Sequence, residues 1–330
     1  MTDEPEKEPE ENNDDEDGES QDAQEQEEDS YTPTHDSTIF PLLQDVAGPK
    51  KFKTDLEDIV NGILHPEIYT ILGVQPRKSF LFSGPPGTGK TFSYKAIRNE
   101  LISKFEPVME FQYDIGRYGT AYINMGSVQL QKFFDAGRKL AHKGRTVMYW
   151  FDEADVLMGH RGAGNRSHKE DDKLLDTLMK NLQDIASYGE REYLFFATNF
   201  RDGMDQAAIR SKRIDEIVDF PMPNKDGIKN AYIMKIAHIN TRTPGNYRVI
   251  RQCNTDNLAV ASNGFSYADV EAVIEATSRT KAKRYLRQSV KEEDNSIIIK
   301  APHIVHKDLM YEIEKMQFAR KIRSGAIGFA

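Results

Sequence analysis

The 330-residue chain has a single cysteine, Cys253, so it can hold neither an internal disulfide framework nor a cysteine-based zinc site. Its eight histidines are scattered, without a His-Glu-x-x-His motif, and no Ser-His-Asp constellation can be argued. No run of 18 apolar residues occurs, which excludes a membrane-spanning helix. The N-terminus has neither a basic n-region nor an apolar h-region, so no secretory signal is read there. These absences lead to the expectation of a soluble protein, cytoplasmic or otherwise intracellular. Large apolar side chains are also nearly missing before Tyr31. Residues 1–30 hold 16 Asp/Glu against Lys7 alone, so the chain's net charge of −9 is set by this segment and the remainder carries +6. Residues 1–36 therefore read as a disordered acidic tail, because so little apolar surface cannot offset the entropy of ordering. The tail serves either as a solvating segment or as an arm for a basic partner.

Beyond the tail, apolar residues recur at helical spacing from Lys51 to Leu64, on Phe52, Leu56, Ile59, Val60, Ile63 and Leu64. Short apolar runs at 78–83, 108–113, 146–151, 193–198 and 216–220 read as five strands. Helices are expected between them, at about 91–105, 128–142 and 169–187. Strands apolar on both faces that alternate with helices predict an α/β fold with a parallel sheet covered on both sides, here five-stranded and three-layered. After Pro221-Met222-Pro223 the pattern turns mostly helical, with a hairpin-like excursion expected at Tyr247–Cys253 and a short β run at Ile297–Ile299. The expected domains are thus the tail at 1–36, a large α/β domain at 37–223, and a small, mostly helical domain at 224–330 ending in a basic stretch.

The first expected strand runs into Gly84-Pro85-Pro86-Gly87-Thr88-Gly89-Lys90-Thr91, which fits G-x-x-x-x-G-K-[ST] between a strand and a helix. Its glycines let backbone N–H groups curl around phosphate oxygens, and the helix N-terminus adds its positive dipole end. In that setting Lys90 reaches the β and γ phosphates and Thr91 places its hydroxyl on Mg²⁺. The third strand ends in Asp152-Glu153, which suits a metal-side carboxylate followed by the acid that polarises the attacking water. The fourth ends in Thr198-Asn199, where an amide can hold the water and the γ-phosphate; by itself an Asn at a strand end is usually a turn residue.

Together with Gln44-Asp45-Val46-Ala47-Gly48, Phe151-Asp152-Glu153-Ala154-Asp155 and Asp205-Gln206-Ala207-Ala208-Ile209-Arg210-Ser211-Lys212-Arg213-Ile214-Asp215, these motifs resemble the AAA ATPases, in the branch with FtsH, the proteasomal ATPases and katanin-like remodellers. The resemblance covers roughly residues 40–290. It implies a P-loop αβα domain with a helical lid, a ring of subunits (most often six), ATP and Mg²⁺ as ligands, and a protein substrate. It implies that Asp45, Val46 and Ala47 meet adenine, that Gly84 through Thr91 and Phe92 hold the phosphates, and that His238 and Ala268 approach the nucleotide from the lid. Asn199 takes the place of the family's first sensor, and Arg210 and Arg213 match arginines that reach a neighbouring subunit's γ-phosphate. Tyr122 and Ile123 fall on the loop that grips polypeptide in the ring's channel, although a tyrosine there can instead pack into its own domain. Tyr267, in Gly264-Phe265-Ser266-Tyr267-Ala268-Asp269, stands where relatives usually have glycine, close to the expected nucleotide. Asn124 replaces the glycine after the pore aromatic, and Asp172-Lys173 occupies a region where relatives often carry paired arginines.

The leading expectation is an ATPase that remodels proteins, with Lys90, Glu153, Asn199, Arg210 and Arg213 carrying hydrolysis and Thr91 and Asp152 the metal. A nucleic-acid motor or loader is the alternative, favoured by the basic body and by Lys281, Lys283, Arg284 and Arg287 on a late helix. A scaffold that binds ATP without hydrolysing it is the third, and the complete set of acid, sensor and arginines argues against it.

Overall fold

The computed structural model describes residues 41–104, 107–113, 126–158, 168–188, 190–201, 204, 213–243, 248–289 and 303–323. The acidic tail, Tyr122, Ile123, Arg210 and the expected β run at 297–299 lie outside the described residues. Five parallel strands form one sheet in the order β2-β3-β4-β1-β5: β1 Ser79–Ser83, β2 Val108–Tyr113, β3 Thr146–Phe151, β4 Glu192–Thr198 and β5 Glu216–Asp219. Every residue of β1, β3 and β4 is buried, whereas β2 and β5 at the edges are only partly so. That explains why the three inner strands read as continuous apolar runs and why β2 alternates through Glu110 and Gln112.

The period-2 alternation divides the aromatic residues between two layers. Phe80, Phe82, Trp150 and Phe195 face helices α1 (Lys50–Leu64) and α3 (Lys90–Ser103). Leu81, Tyr149, Phe151 and Phe196 face α4 (Gly126–Ala141) and α6 (His168–Tyr188). Stacked pairs lock each layer, Tyr94 on Trp150 at 4.2 Å and Phe151 on Phe196 at 5.0 Å between ring centres. The short helices α2 (Pro66–Ile71) and α5 (Ala154–Leu157) complete this part.

Helices α7 (Lys225–Arg242), α8 (Thr255–Ala261), α9 (Tyr267–Ser289) and α10 (His306–Arg323) surround a third core that contains Ile228, Tyr232, Leu258, Phe265, Val273 and Ile313. Asn224 and Asn254 cap α7 and α8 by accepting from Gly227 N at 2.8 Å and Asn257 N at 3.1 Å. The hairpin-like excursion expected at Tyr247–Cys253 is corrected for its described part, residues 248–253. Ile250 makes a single parallel bridge to Ile304, and the Asn240 side chain bonds both its N–H and its carbonyl, at 3.0 and 3.1 Å. Asn240 thus takes main-chain groups that a hairpin partner would have used.

Candidate nucleotide site

In the sheet order, β3, β4 and β1 are neighbours; β4 and β1 end level, Ser83 opposite Thr198, and β3 ends two residues short of them, with Phe151 opposite Phe196. The residues just past these three ends, 84–91, 152–153 and 199, are therefore brought to one edge, the carboxyl edge where open parallel sheets bind ligands. Gly84 is required by close approach: a Cβ there would lie 2.1 Å from the carbonyl oxygen of Phe220. Gly87 is required twice over, by a φ of +76° and by Ser266 Oγ, which would sit 2.5 Å from an added Cβ.

Lys90 is 7% exposed, and its ammonium donates to the carbonyls of Gly84 (2.7 Å) and Pro85 (2.9 Å) and to Asn199 Oδ1 (2.8 Å). Burial pushes its pKa below the ordinary lysine value, against the attraction of Asp152 and Asp155. Thr91 Oγ1 lies 3.5 Å from Asp152 Oδ2, and Asp152 Oδ1 accepts from Glu153 N at 3.0 Å. Glu153 adopts the left-handed backbone conformation, φ +52°, a costly position for a side chain with a Cβ. Behind Asn199, Thr198 Oγ1 donates to Asp155 Oδ1 at 2.7 Å and accepts from Phe200 N at 3.0 Å, which fixes the turn that presents the amide.

These groups open into a cavity of 940 Å³. Its walls include Asp45, Val46, Ala47, Pro86 through Phe92, Asp152, Glu153, Asn199, His238 and Ala268. Gly84 and Pro85 contribute through their carbonyls to Lys90. Arg213 does not line the cavity; its carbonyl accepts from Ser79 Oγ at 2.8 Å. Burial, then the charges of Arg242 and Lys235, push the His238 imidazole below its ordinary pKa. Ala268 N donates to Gly87 O at 3.2 Å, joining the helical part directly to the glycine-rich loop.

Several residues to which the sequence assigns no role also shape the site. Met234, Lys235 and Thr241 line the cavity beside His238, and the spacing 234, 238, 241 along α7 is the periodic signal that would have found them. Lys235 pairs with Glu271 of α9, also in the wall. Asp215 fixes the start of β1 by accepting from Lys78 N (2.7 Å), Ser79 N (3.0 Å) and Ser79 Oγ (3.0 Å). No local signal marks that role, because its partners lie more than a hundred positions away.

Residues 80–222 match the model of the family described as ATPase family associated with various cellular activities (AAA). The chain is 31% identical over 232 residues to the ATP-dependent zinc metalloprotease FtsH of Magnetococcus marinus, which spans 70% of this chain and 32% of that protein.

Residues 80–222 form a domain of the AAA ATPase family.

The FtsH of Trieres chinensis is 31% identical over 77% of this chain and 38% of its own length, and that of Caldicellulosiruptor bescii is 27% identical over 82% and 42%. This AAA-domain protein thus spans about a third of the length of the curated relatives it matches. Its cavity can chemically accommodate MgATP. Two hard oxygens, Thr91 Oγ1 and Asp152 Oδ2, suit a Mg²⁺ that keeps waters and phosphate oxygens as its other ligands. A buried ammonium at the glycine-rich loop gains by meeting phosphate charge.

Proposed function

We propose that this AAA-domain protein binds MgATP in the 940 Å³ cavity, hydrolyses it, and uses the cycle in a ring of like subunits, six by family resemblance, to remodel a protein substrate. The convergence of Lys90, Thr91, Asp152, Glu153 and Asn199 at one end of one cavity is the observation that carries the reading. Lys90 exchanges its carbonyl and amide acceptors for β and γ phosphate oxygens. A Mg²⁺ held by Thr91 Oγ1 and Asp152 would neutralise the charge that develops on the phosphate oxygens. Glu153 accepts a proton from the water whose oxygen attacks the γ-phosphorus; the bond to the β-phosphate oxygen breaks and ADP leaves. Asn199, braced by the Thr198–Asp155 hydrogen bond, orients that water. Arg210 and Arg213 serve the neighbouring subunit's site, which accords with the position of Arg213 away from its own chain's cavity. An arginine supplied in trans is worth about 10³-fold or more in rate. Tyr122 and Ile123 grip the polypeptide. The FtsH relatives, named as ATP-dependent proteases, support a protein as the object of the work.

The test is steady-state ATPase activity, alone and with an unfolded protein or DNA. Glu153→Gln should retain ATP binding while turnover falls by about a hundredfold or more, the scale of a lost general base. Normal turnover in that variant overturns the assignment. Stimulation by unfolded protein should vanish in Tyr122→Ala. Stimulation by DNA alone, with Tyr122 dispensable, would put the nucleic-acid motor first. Exposed Lys283, Arg284 and Arg287 on α9 favour that second reading, whereas Lys281 is already engaged by Asp308 at 2.7 Å.

A further inference from the structure

A second cavity, of 130 Å³, adjoins the nucleotide cavity, and the two share three lining residues: Ala47, Thr88 and Tyr267. Ala47 offers only a methyl group, and the Thr88 hydroxyl is turned to the carbonyl of Pro85 at 2.8 Å. The Tyr267 ring is the one shared group large enough to divide the two spaces. With the triphosphate held at Lys90, Thr91 and Asp152, the base has to occupy the rest of the larger cavity, whose walls include Ala47 and Tyr267.

The ring lies close to two glycines, one at each end. Its Cδ2 lies 3.8 Å from where a Cβ on Gly89 would be, and its hydroxyl lies 3.0 Å from where a Cβ on Gly227 would be. Gly227 sits in the first turn of α7, where glycine disfavours the helix by about 1 kcal/mol relative to alanine. A side chain there would crowd the Tyr267 hydroxyl, so the two residues fit as knob and hole. The backbone at Tyr267 is pinned as well. Asp269 Oδ2 accepts from Ser266 N and Ser266 Oγ, each at 2.6 Å, and Arg320 of α10 holds the same carboxylate at 2.6 Å.

We propose that Tyr267 is the size-selecting wall of the base pocket: its ring seals off the smaller cavity and restricts the site to nucleotides without an enlarged base. This rests on the ATP reading above. The space behind the wall is bordered mainly by apolar groups, Phe52, Phe220, Pro221 and Pro223 among them, with Asn224 and Thr88 as polar members, and can take a hydrocarbon ring against its apolar side chains. An apolar cavity of about 150 Å³ is known to take benzene, so removal of the tyrosine ring opens room for a substituent of that size.

The experiment compares the full chain with Tyr267→Gly, Tyr267→Leu and Tyr267→Phe. Affinities for ATP, N6-benzyl-ATP and an ATP bearing a bulky C8 substituent are read by displacement of a fluorescent nucleotide. Wild type and Tyr267→Phe should bind ATP and reject both enlarged nucleotides. Tyr267→Gly and Tyr267→Leu should admit at least one of them, with its affinity relative to ATP improved about tenfold or more. Leucine still fills part of the space, so it provides the reading should glycine at the start of α9 impair folding. An unchanged ratio in the shortened variants, or a wild type that already takes both enlarged nucleotides, overturns the assignment. Lys90→Ala separates the two layers of inference. ATP binding that depends on Lys90, with an unchanged ratio, sinks the Tyr267 assignment alone; wild type that fails to bind ATP, or binds it as Lys90→Ala does, sinks the ATP reading and this one with it.

Discussion

On the sheet side of the cavity, Lys90, Asp152 and Asn199 stand just past the ends of β1, β3 and β4, strands in which every residue is buried. On the helical side, Lys235, His238, Tyr267 and Glu271 stand on α7 and α9, which meet the glycine-rich loop through a few polar contacts such as Ala268 N to Gly87 O. The first wall is placed by packing that involves the whole sheet. The second rests on the separate helical core, and single bonds join its residues to one another: Lys235 to Glu271, Ser266 to Asp269, Arg320 to Asp269. Chemistry that must be exact to a fraction of an ångström thus sits on the wall least able to move, and recognition of the rest of the ligand sits on the wall that can be adjusted one contact at a time.

The largest expected effect comes from breaking the first wall. Phe195 is fully buried between Phe80, Phe82 and Tyr94. Phe195→Ala should cost about 3–5 kcal/mol in denaturant unfolding, and nucleotide binding should be lost over the same range of denaturant as the fold. Binding that fails well before unfolding would contradict placement by packing.

A smaller effect should appear at the opposite edge of the sheet. Lys78 is 5% exposed, its ammonium lies 4.6 Å from the centre of the Tyr193 ring, and burial pushes it down to about 8, against the attraction of Glu192. The unfolded chain holds this proton up to about 10.5, so Lys78 makes stability rise with pH between about 8 and 10.5, and the cost of its buried charge is complete below 8. Lys78→Met should be more stable than wild type at pH 7 by up to about 3 kcal/mol, with the gap closing by pH 10. Thermal melts of both chains across that range provide the check, and a gap independent of pH would remove the charge from the explanation.

The mildest effect should come from the helical wall. Burial pushes the Asp269 carboxyl up, but the bonds from Ser266 and Arg320 outweigh this and hold it below its ordinary value. Arg320 also bonds Gly264 O at 3.0 Å and lies 4.5 Å from the centre of the Phe265 ring. Arg320→Ala should raise the KM for ATP several-fold, about 1 kcal/mol, with kcat nearly unchanged, and Arg320→Lys should restore part of the loss. A fall in kcat with no change in KM would mean that the two walls are not independent.

The two walls also differed in how far they could be read beforehand. The β2 and β3 bounds, 108–113 and 146–151, were visible because each is a short apolar run closed by turn residues. The phosphate loop was visible because its chemistry needs fixed residue types at fixed spacing. The same logic does not reach Asp215, Asn240 or Arg320. Each acts through partners distant in the sequence, and a lone Asp, Asn or Arg carries no mark of the backbone or carboxylate it will meet. Strand order was likewise hidden, since nothing in residues 79–83 announces β4 and β5 as neighbours. The left-handed Glu153 stands at the N-cap of α5, a conformation the local sequence does not reveal.

That strand order has a consequence for how the chain comes into being. Ser79 pairs with Leu194 and Phe80 with Glu216, so both neighbours of the strand that carries the phosphate loop are made long after it. During synthesis at about 5–20 residues per second, β1 waits some seconds with its apolar run exposed until β4 and β5 emerge. A ribosome-bound chain truncated before residue 192 has the whole glycine-rich motif and neither of the strands that hold it in place.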